Sequence, residues 1–499
     1  MIKPAKNKNK VASRSEPCRV APLQRGEQTT QNLSPLESLG VFGYQAIEPV
    51  ILTALVTRDP LLLIGPAGTG KTYLLNRLSE ALGLEHRHYN ASLIAFDDLV
   101  GFPFPNEDKS GIEYLQTPAT VWNAESVLVD EINRCRPEHQ NRLFSLIHER
   151  RLQGIQIESL IHRWAAMNPC GESSAYDSAS SFHYDGAVPL DQALADRFNW
   201  VVDVPDWHHL TEREQNAVAN PDSDALDPKA KAELVSRIAQ ARTRFEKLLA
   251  NPSPRVVQYA RLAATLFGKS DLRCSPRRVR QLTRNLLGLA ALDDGPLTRS
   301  SAFLGLTWSL PHRAWGQSIQ PEVIRGVHRT AWDAAFDSGD EAWLNQVLIE
   351  PRLHLRVRQI LTKAPSANLA GIAVIQTIHQ LPEPESLAFA FALYPAALEG
   401  RLGLSREGIQ ALAKRCHHLV DVKGEIKWRA SEGSKVPHGR VVDIKKALSR
   451  CRGGRRTRGQ QLLYGLLIDN KLPRELTSLE QAFHDCVLEV RKRLRKEVA

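Results

Sequence analysis

Long hydrophobic runs are missing from this sequence of 499 residues. No stretch approaches the roughly 18 consecutive apolar residues of a membrane-spanning helix, so we expect no association with a membrane. The N-terminus carries lysines but no apolar run behind them, which excludes a secretory signal as the explanation of that segment.

Cysteine pairs of the C-x-x-C type are also missing. The seven cysteines are scattered along the chain, and such a set favours reduced thiols and a cytoplasmic location over a disulfide framework. The run Cys416-His417-His418 has no second ligand pair nearby. Because zinc sites usually combine two such pairs, we predict no metal centre there.

The third missing feature is an even distribution of positive charge along the chain, although the formal net charge is +10. Residues 1–25 carry a net charge of +6 and residues 435–458 carry +8, which leaves −4 for the remainder. The basic character therefore belongs to a tail and one late segment, and the folded core is not predicted to be a nucleic-acid surface.

What the sequence does contain is a phosphate loop of the form G-x-x-x-x-G-K-T. An apolar strand is predicted immediately before it and a helix after it, which is the context that distinguishes the motif from a chance match. The loop predicts backbone N–H groups turned towards the phosphates of ATP, with Lys71 reaching the β- and γ-phosphates and Thr72 holding Mg²⁺. The predicted nucleotide-binding residues are Gly65, Pro66, Ala67, Gly68, Thr69, Gly70, Lys71 and Thr72.

A second nucleotide signature is the apolar run Val127-Leu128-Val129 that ends in Asp130 and Glu131. Taken alone, the two carboxylates could form a solvated turn. Together with the phosphate loop they predict a magnesium-binding residue, Asp130, and a base, Glu131, that polarises the attacking water.

Short apolar runs alternate with helical segments from residue 36 onwards. Strands are predicted at 61–64, 86–90, 126–129, 164–167 and 200–204. This alternation predicts an α/β fold with a five-stranded parallel sheet covered on both faces, which binds its ligand at the carboxyl ends of the strands. Residues 1–35 are predicted to form a disordered basic tail.

Five motifs in order resemble the MoxR-type AAA+ ATPases, which belong to the clade with an insert in the second helix. They are Asp130-Glu131-Ile132-Asn133-Arg134, the helix that closes in His148-Glu149-Arg150, Met167-Asn168-Pro169, the segment 188–198 that ends in Asp196-Arg197-Phe198, and Ser275-Pro276-Arg277. The resemblance implies an AAA+ core at 36–206 and a helical lid at 207–295. A mainly helical region without recognisable motifs is expected at 296–499.

The resemblance also implies roles for three further residues. Asn168 should bond the attacking water or the γ-phosphate, and Arg197 should be an arginine finger that enters the site of a neighbouring subunit. A salt bridge from Arg197 to Asp196 or Asp191 is the structural alternative.

Arg277 should contact the nucleotide of its own subunit, although Arg278 and Arg280 lie close to it in sequence. Asn90 matches the position of a polar residue that restrains the catalytic glutamate, here Glu131. The alternative for Asn90 is that it simply ends its strand.

Two loops complete the resemblance: an insertion between residues 97 and 120, and a hairpin around Gly154. In the family both lie near the pore of a ring and move with the nucleotide state. Ordinary surface loops are the alternative.

We therefore expect an ATP-hydrolysing ring, a hexamer, that remodels a partner protein, with a von Willebrand A-domain protein as the usual partner of the family. The alternative function is a nucleic-acid motor or DNA-tethered ATPase, and a third is a nucleotide switch with slow turnover. The alternative is supported by the basic segment 435–458. Against it, this segment lacks the aromatic residues that stack on bases. Within it, residues 452–460 are predicted to form a flexible basic loop, and residues 480–496 a terminal helix.

Overall fold

The computed structural model describes residues 33–108, 110–135, 137–170, 187–220, 227–337, 339–420, 439–468 and 470–496. Nearly all of the predicted tail and the stretch 171–186 therefore lie outside the described residues. The strands are β1 (Leu61–Ile64), β2 (His86–Asn90), β3 (Phe102–Pro105), β4 (Ile112–Leu115), β5 (Ser126–Asp130), β6 (Arg151–Leu152), β7 (Ile155–Gln156), β8 (His162–Met167) and β9 (Trp200–Asp203).

Helices make up most of the remaining structure. Those of the first part are α1 (Glu48–Thr57), α2 (Lys71–Leu82), α3 (Phe96–Val100), α4 (Pro137–Glu149), α5 (Gln192–Ala195), α6 (Glu212–Ala219), α7 (Pro228–Ala250), α8 (Pro254–Lys269), α9 (Pro276–Leu292), α10 (Arg299–Trp308) and α11 (Pro321–Phe336). Those of the last part are α12 (Asp340–Ile349), α13 (Leu353–Lys363), α14 (Ala367–Gln380), α15 (Glu383–Leu398), α16 (Arg406–Val420), α17 (Gly439–Ala447), α18 (Gly453–Ile468) and α19 (Leu476–Lys496).

The central sheet has five parallel strands in the order β2-β5-β8-β1-β9. All five predicted strands are present, and the predicted α/β fold with a parallel sheet and a helical C-terminal region is confirmed. Because all strands run the same way, the sheet has a carboxyl edge, where every strand ends, and an amino edge, where every strand begins.

The strands β1, β5 and β8 are almost fully buried on both faces, as expected for a parallel sheet between two layers of helices. On one face the sheet packs against α1, α2 and the bundle of α7 to α11. On the other it packs against α4 and α5. The sequence also predicts an amphipathic helix over residues 46–57, before β1. The structure has α1 there, but nine of its ten residues are buried, so it is a core helix and not an amphipathic one.

The helical bundle on the sheet extends beyond the predicted lid. Its hydrophobic cluster continues through α10 and α11 as far as Ile349, and a second cluster, from Val347 to Val490, holds α12 to α19 together. The predicted boundary at residue 295 therefore lies inside the first bundle. Trp308, Trp332 and Trp343 are half-buried at the margins of these clusters, and Trp315 lies at the margin of the cluster beneath α4.

Two hairpins project from the core. The predicted hairpin around Gly154 is formed by β6 and β7, and its turn needs a positive φ of 83° at that glycine. The insertion after α3 is a second hairpin, β3–β4. Their side chains meet where the Tyr114 hydroxyl donates to Gln153 Oε1 at 3.2 Å.

The expectation of a flexible loop at residues 452–460 is wrong, because Gly453 begins the 16-residue helix α18. The two glycines hid the helix from sequence reasoning, since glycine disfavours helix interiors. The terminal helix is present and begins at Leu476, four residues before its predicted start. Among the described residues, no helix is both long and apolar enough to cross a membrane.

Candidate functional site

The phosphate loop joins the carboxyl end of β1 to the first turn of α2. Gly68 and Gly70 both have φ of +85°, a conformation that side chains other than glycine rarely adopt. Gly65 is needed for space, because an added Cβ would lie 2.2 Å from the Val204 side chain. The Tyr44 hydroxyl donates to the Thr69 carbonyl at 2.9 Å and fixes the loop from outside.

Lys71 lies at the start of α2 and is 7% exposed. Its ammonium donates to the carbonyls of Gly65 and Pro66, each at 2.7 Å, so it spans the loop from within. Burial lowers the pKa of Lys71 to about 8, although the nearby carboxylates of Asp130 and Glu131 oppose this shift. A bound anion beside Lys71 would therefore stabilise its charged form.

The Thr72 hydroxyl donates to Asp130 Oδ2 at 2.7 Å, which joins the two predicted magnesium residues. His88 Nε2 lies 3.4 Å from the same oxygen. Burial alone would raise the pKa of Asp130, but hydrogen bonds from His88, Thr72 and the Glu131 backbone N–H hold it below its usual value. An ionised carboxylate beside a hydroxyl is an oxygen donor set that fits Mg²⁺, which binds few protein ligands and keeps several waters.

Glu131 follows the end of β5 in the left-handed region, with φ of 52°. This conformation turns its side chain away from the strand direction. Its Oε2 accepts a hydrogen bond from Asn90 Nδ2 at 3.3 Å, and its Oε1 lies 3.7 Å from an Arg134 guanidinium nitrogen. Asn90 is thus more than the end of its strand, since its side chain holds the glutamate.

Asn168 follows the end of β8, between the phosphate loop and β5, and is 6% exposed. Its carbonyl accepts a hydrogen bond from Asn133 Nδ2 at 3.0 Å. The fully buried Asn133 therefore ties the acidic motif to the end of β8, a contact that the sequence did not predict. The carboxyl edge of the sheet therefore holds the phosphate loop together with Asp130, Glu131 and Asn168.

Arg197 and Arg277 lie at the amino edge instead. The turn that holds Arg197 ends at Asn199, whose N–H donates to the Pro60 carbonyl just before β1. Arg277 Nη1 lies 3.3 Å from Asp196 Oδ2, beside Arg197. The four residues of β9 separate this edge from the phosphate loop by roughly 13 Å, at about 3.3 Å per residue.

The Arg197 guanidinium lies 4.5 Å from the centre of the Phe144 ring, and its Nη1 donates to the Ala193 carbonyl at 2.6 Å. Burial and the neighbouring Arg277 lower the pKa of Arg197. Neither predicted alternative, an ion pair with Asp196 or with Asp191, occurs among the described residues, because Asp196 is occupied by Ser275, Arg277 and Arg278.

Arg278, the neighbour of Arg277, has a structural role. It is 3% exposed, and its Nη1 donates to the carbonyls of Phe198, Asn199 and Ser309. It thereby fastens the lid helix α9 to the turn before β9. Sequence reasoning gave Arg278 only as a rival of Arg277.

A cavity beside the phosphate loop was also missed. Its volume is about 220 Å³, and its walls come from the segment before α1, the loop itself and the segment after β9. Its lining includes Val41, Tyr44, Tyr73, Trp207 and Leu210. An apolar pocket that opens onto a phosphate loop has the lining that a nucleobase needs. The apolar segment between Gly40 and Gly43 was the signal in the sequence.

The sheet order, the phosphate loop and the carboxylates at the end of β5 define a phosphate-loop nucleoside triphosphatase of the AAA+ class. Residues 60–165 match the model of the AAA domain of the dynein-related subfamily, and the chain carries an AAA domain and is an ATP-hydrolysing enzyme. The predictions of an AAA+ ATPase and of an ATP-hydrolysing enzyme are confirmed.

Among solved structures, one similar chain is a "putative ATPase" from Cytophaga hutchinsonii ATCC 33406. The two chains are 20% identical with a TM-score of 0.45, and the match covers 59% of this chain and 91% of the other. No functionally curated protein matches the sequence.

Proposed function

We propose that this protein is a MoxR-like AAA+ ATPase that binds and hydrolyses ATP with Mg²⁺ in a ring, a hexamer, in order to remodel a partner protein. One observation carries the proposal: the nucleotide-binding residues lie at the carboxyl edge of the sheet, whereas Arg197 and Arg277 lie at its amino edge. A single chain therefore holds two halves of a site that are complementary but separated.

In the proposed site the nucleobase fills the cavity beside Tyr44, and the phosphates lie along the loop. Lys71 exchanges its two backbone carbonyls for β- and γ-phosphate oxygens, and the charge of the phosphates raises its depressed pKa. Thr72 and Asp130 hold Mg²⁺, which when bound neutralises charge on the transferred phosphoryl group.

Hydrolysis then depends on Glu131, which accepts a proton from the attacking water. Asn90 holds the carboxylate of Glu131 until nucleotide and water are in place, and Asn168 orients the water or the γ-phosphate from the end of β8. Burial around these groups strengthens each interaction, because the effective dielectric constant is lower than in water.

The arginines act on the neighbouring subunit. Roughly 13 Å of strand lies between Arg197 and the phosphate loop of the same chain, which is too far for a contact with its own nucleotide. Arg277 is bonded to the carboxylate next to Arg197 and shares this position. We therefore revise the expected role of Arg277 from a contact within its own subunit to a contact across the interface.

The partner-binding part of the proposal rests on the two hairpins. Phe102, Phe104 and Leu115 of the β3–β4 hairpin are 54%, 67% and 60% exposed, and Ile155 of the β6–β7 hairpin is 48% exposed. A group of exposed apolar side chains on linked hairpins is typical of a protein-binding surface. A von Willebrand A-domain protein is the partner that we propose to test first.

The decisive experiment mixes two variants. Arg197→Ala protein should bind ATP normally and hydrolyse it about 10³ to 10⁵ times more slowly, the range reported for arginine fingers. Glu131→Gln protein should hydrolyse ATP about 10² to 10⁴ times more slowly. A mixed ring contains interfaces with an intact Glu131 on one side and an intact Arg197 on the other, so phosphate release should exceed the sum of the two variants.

The control is Arg237→Ala, which removes an exposed arginine of α7 and should neither slow the wild type nor rescue Glu131→Gln. Co-assembly of the mixture is checked by an affinity tag on one variant, which must retain the untagged variant. Additive activity in rings shown to be mixed contradicts a shared site, and a monomer with full activity contradicts the ring.

A further inference from the structure

The C-terminal helices α17, α18 and α19 carry almost the whole net charge of the protein. Residues 439–496 contain 15 lysines and arginines against six aspartates and glutamates, a net charge of +9 out of +10 for the chain. This excess includes the terminal helix, which the sequence analysis did not count with segment 435–458.

Part of this charge is already neutralised within the domain. Arg455 forms a two-pronged ion pair with the buried Glu480, at 2.9 and 2.7 Å. Arg440 pairs with Asp443 and donates to the carbonyls of Leu472 and Pro473. These two residues are structural, and only some of the cations in the described residues 439–458 face solvent.

The remaining cations define what we call the basic face. Each is exposed and has no acidic partner within 4 Å in the part of the chain that the structure describes. Its members are Lys445, Lys446, Arg450, Arg452, Arg456, Arg491 and Arg495; Arg474 meets the same criterion but lies in the segment before α19 and is not counted. Burial and, after it, the charge of Arg491 of α19 lower the pKa of the half-buried Arg458 of α18.

Helix dipoles account for some of these cations but not for those of α18. Lys445, Lys446, Arg491 and Arg495 lie in the last turns of α17 and α19, where the partial negative charge of a helix end favours them. Arg452 and Arg456 flank the start of α18, where the helix end is positive and opposes them. Two arginines in an unfavourable field would gain from an external anion.

We propose that the basic face binds duplex DNA through the phosphates of its backbone. Its cations are distributed over three helices that pack against one another, α17, α18 and α19, and duplex DNA is a rod that carries one charge per about 1.7 Å of its axis. No aromatic side chain of the described residues 439–496 is exposed, so bases of a single strand find no stacking partner. Protein partners usually meet aromatic anchors, which are absent here as well.

The start of α18 gives a phosphate room to approach. Gly453 and Gly454 are exposed, and an added Cβ at either would meet no other atom within 4 Å. Arg452 and Arg456 beside them would supply donors for phosphate oxygens. Contacts of this kind position a protein on DNA without reading its sequence.

The test compares full-length proteins by fluorescence anisotropy with a labelled 30-base-pair duplex over a series of salt concentrations. Replacing Arg452, Arg456 and Arg491 by Gln removes three of the proposed phosphate contacts. The slope of log Kd against log salt should fall by about 2 to 3, since each contact contributes about 0.9. Affinity at 0.1 M salt should fall about tenfold or more.

The matched control replaces three exposed cations of α7, Lys229, Arg237 and Lys247, by Gln. It removes the same charge and should leave both slope and affinity close to those of the wild type. The N-terminal basic segment is present in every protein compared and does not contribute to the difference. ATP hydrolysis, measured on the same samples, should stay unchanged, so failure here is distinct from failure of the proposed ATPase.

Three results overturn the proposal. They are equal losses in both triple variants, tighter binding to the single strand than to the duplex, and binding to poly-glutamate of equal charge as tight as to DNA. The last result assigns the basic face to an acidic protein partner. A fall in slope confined to the Arg452, Arg456 and Arg491 variant supports the DNA assignment.

Discussion

The two edges of the central sheet differ in the charge that their helix ends offer. At the carboxyl edge α2 begins, and the positive end of its dipole points to the phosphate loop. At the amino edge α1 and α4 end, and their last carbonyls accept hydrogen bonds from arginines. Arg163, for example, donates to the carbonyls of Ile147 and Arg58 at 3.0 and 2.9 Å.

This difference explains how one fold can provide both halves of a site that two subunits share. A helix that follows a strand of a parallel sheet begins at the carboxyl edge and ends at the amino edge, so anions are favoured at the first edge and cations at the second. Arg197 fits this polarity, whereas Arg277 lies in the first turn of α9, which begins at the amino edge, and its charge is balanced there by Asp196. In a ring, one subunit's cationic edge can meet the next subunit's phosphates.

At the carboxyl edge the largest expected effect comes from Glu131→Gln. Without a carboxylate to accept the proton, hydrolysis should fall by about 10²- to 10⁴-fold, while the Kd for ATP should stay within about twofold. Single-turnover hydrolysis measures this. The control is Glu125→Gln, which changes a carboxylate just before the same strand, at the amino edge, and should leave the rate unchanged. Equal losses of hydrolysis rate in the two variants would contradict the assignment of catalysis to the carboxyl edge.

Lys71→Ala should weaken ATP binding by about a hundredfold or more, because it removes the buried cation and its charged hydrogen bonds to two phosphates. Binding of a fluorescent ATP analogue is the measurement. Arg77→Ala, one and a half turns further along α2, is the control and should bind as the wild type does. Near-normal affinity of the Lys71 variant would disprove the assignment of the loop.

Asp196→Ala should act on stability at the amino edge. Its carboxylate lies 3.3 Å from Arg277 and 3.4 Å from the buried Arg278, whose charge would lose its only acidic partner among the described residues. We expect a loss of about 3 kcal/mol in the free energy of unfolding, measured by urea denaturation. Asp191→Ala, which removes only the N-cap of α5, should cost about 1 kcal/mol. Equal losses would contradict the special role of Asp196.

The smallest predicted effect is a pH dependence of ATP binding. The pKa of Lys71 in the free protein is about 8, so its protonated fraction falls as the pH rises through 8. Bound phosphates favour the protonated form, and the Kd should therefore rise about tenfold per pH unit above 8. Titration calorimetry between pH 7 and 9.5 tests this. AMP lacks the phosphates that Lys71 contacts, and its Kd should stay flat.

Sequence reasoning predicted the five strands, the phosphate loop and the residues at the strand ends because each depends on a short local pattern. It also placed Asn90 near Glu131, which the hydrogen bond between them supports. It failed where glycines interrupt a helix, at α18, and where an apolar helix is buried all round, at α1. In both, packing overrides the local preference.

The sequence by itself determined the chemistry of the nucleotide site, since Lys71, Thr72, Asp130 and Glu131 belong to motifs that each span a few residues. Only the tertiary structure decided that Arg277 lies beside Arg197, and that Glu480 neutralises Arg455. These partners are 80 and 25 residues apart in the chain. No local rule fixes such a contact, because it depends on how whole helices pack around the sheet.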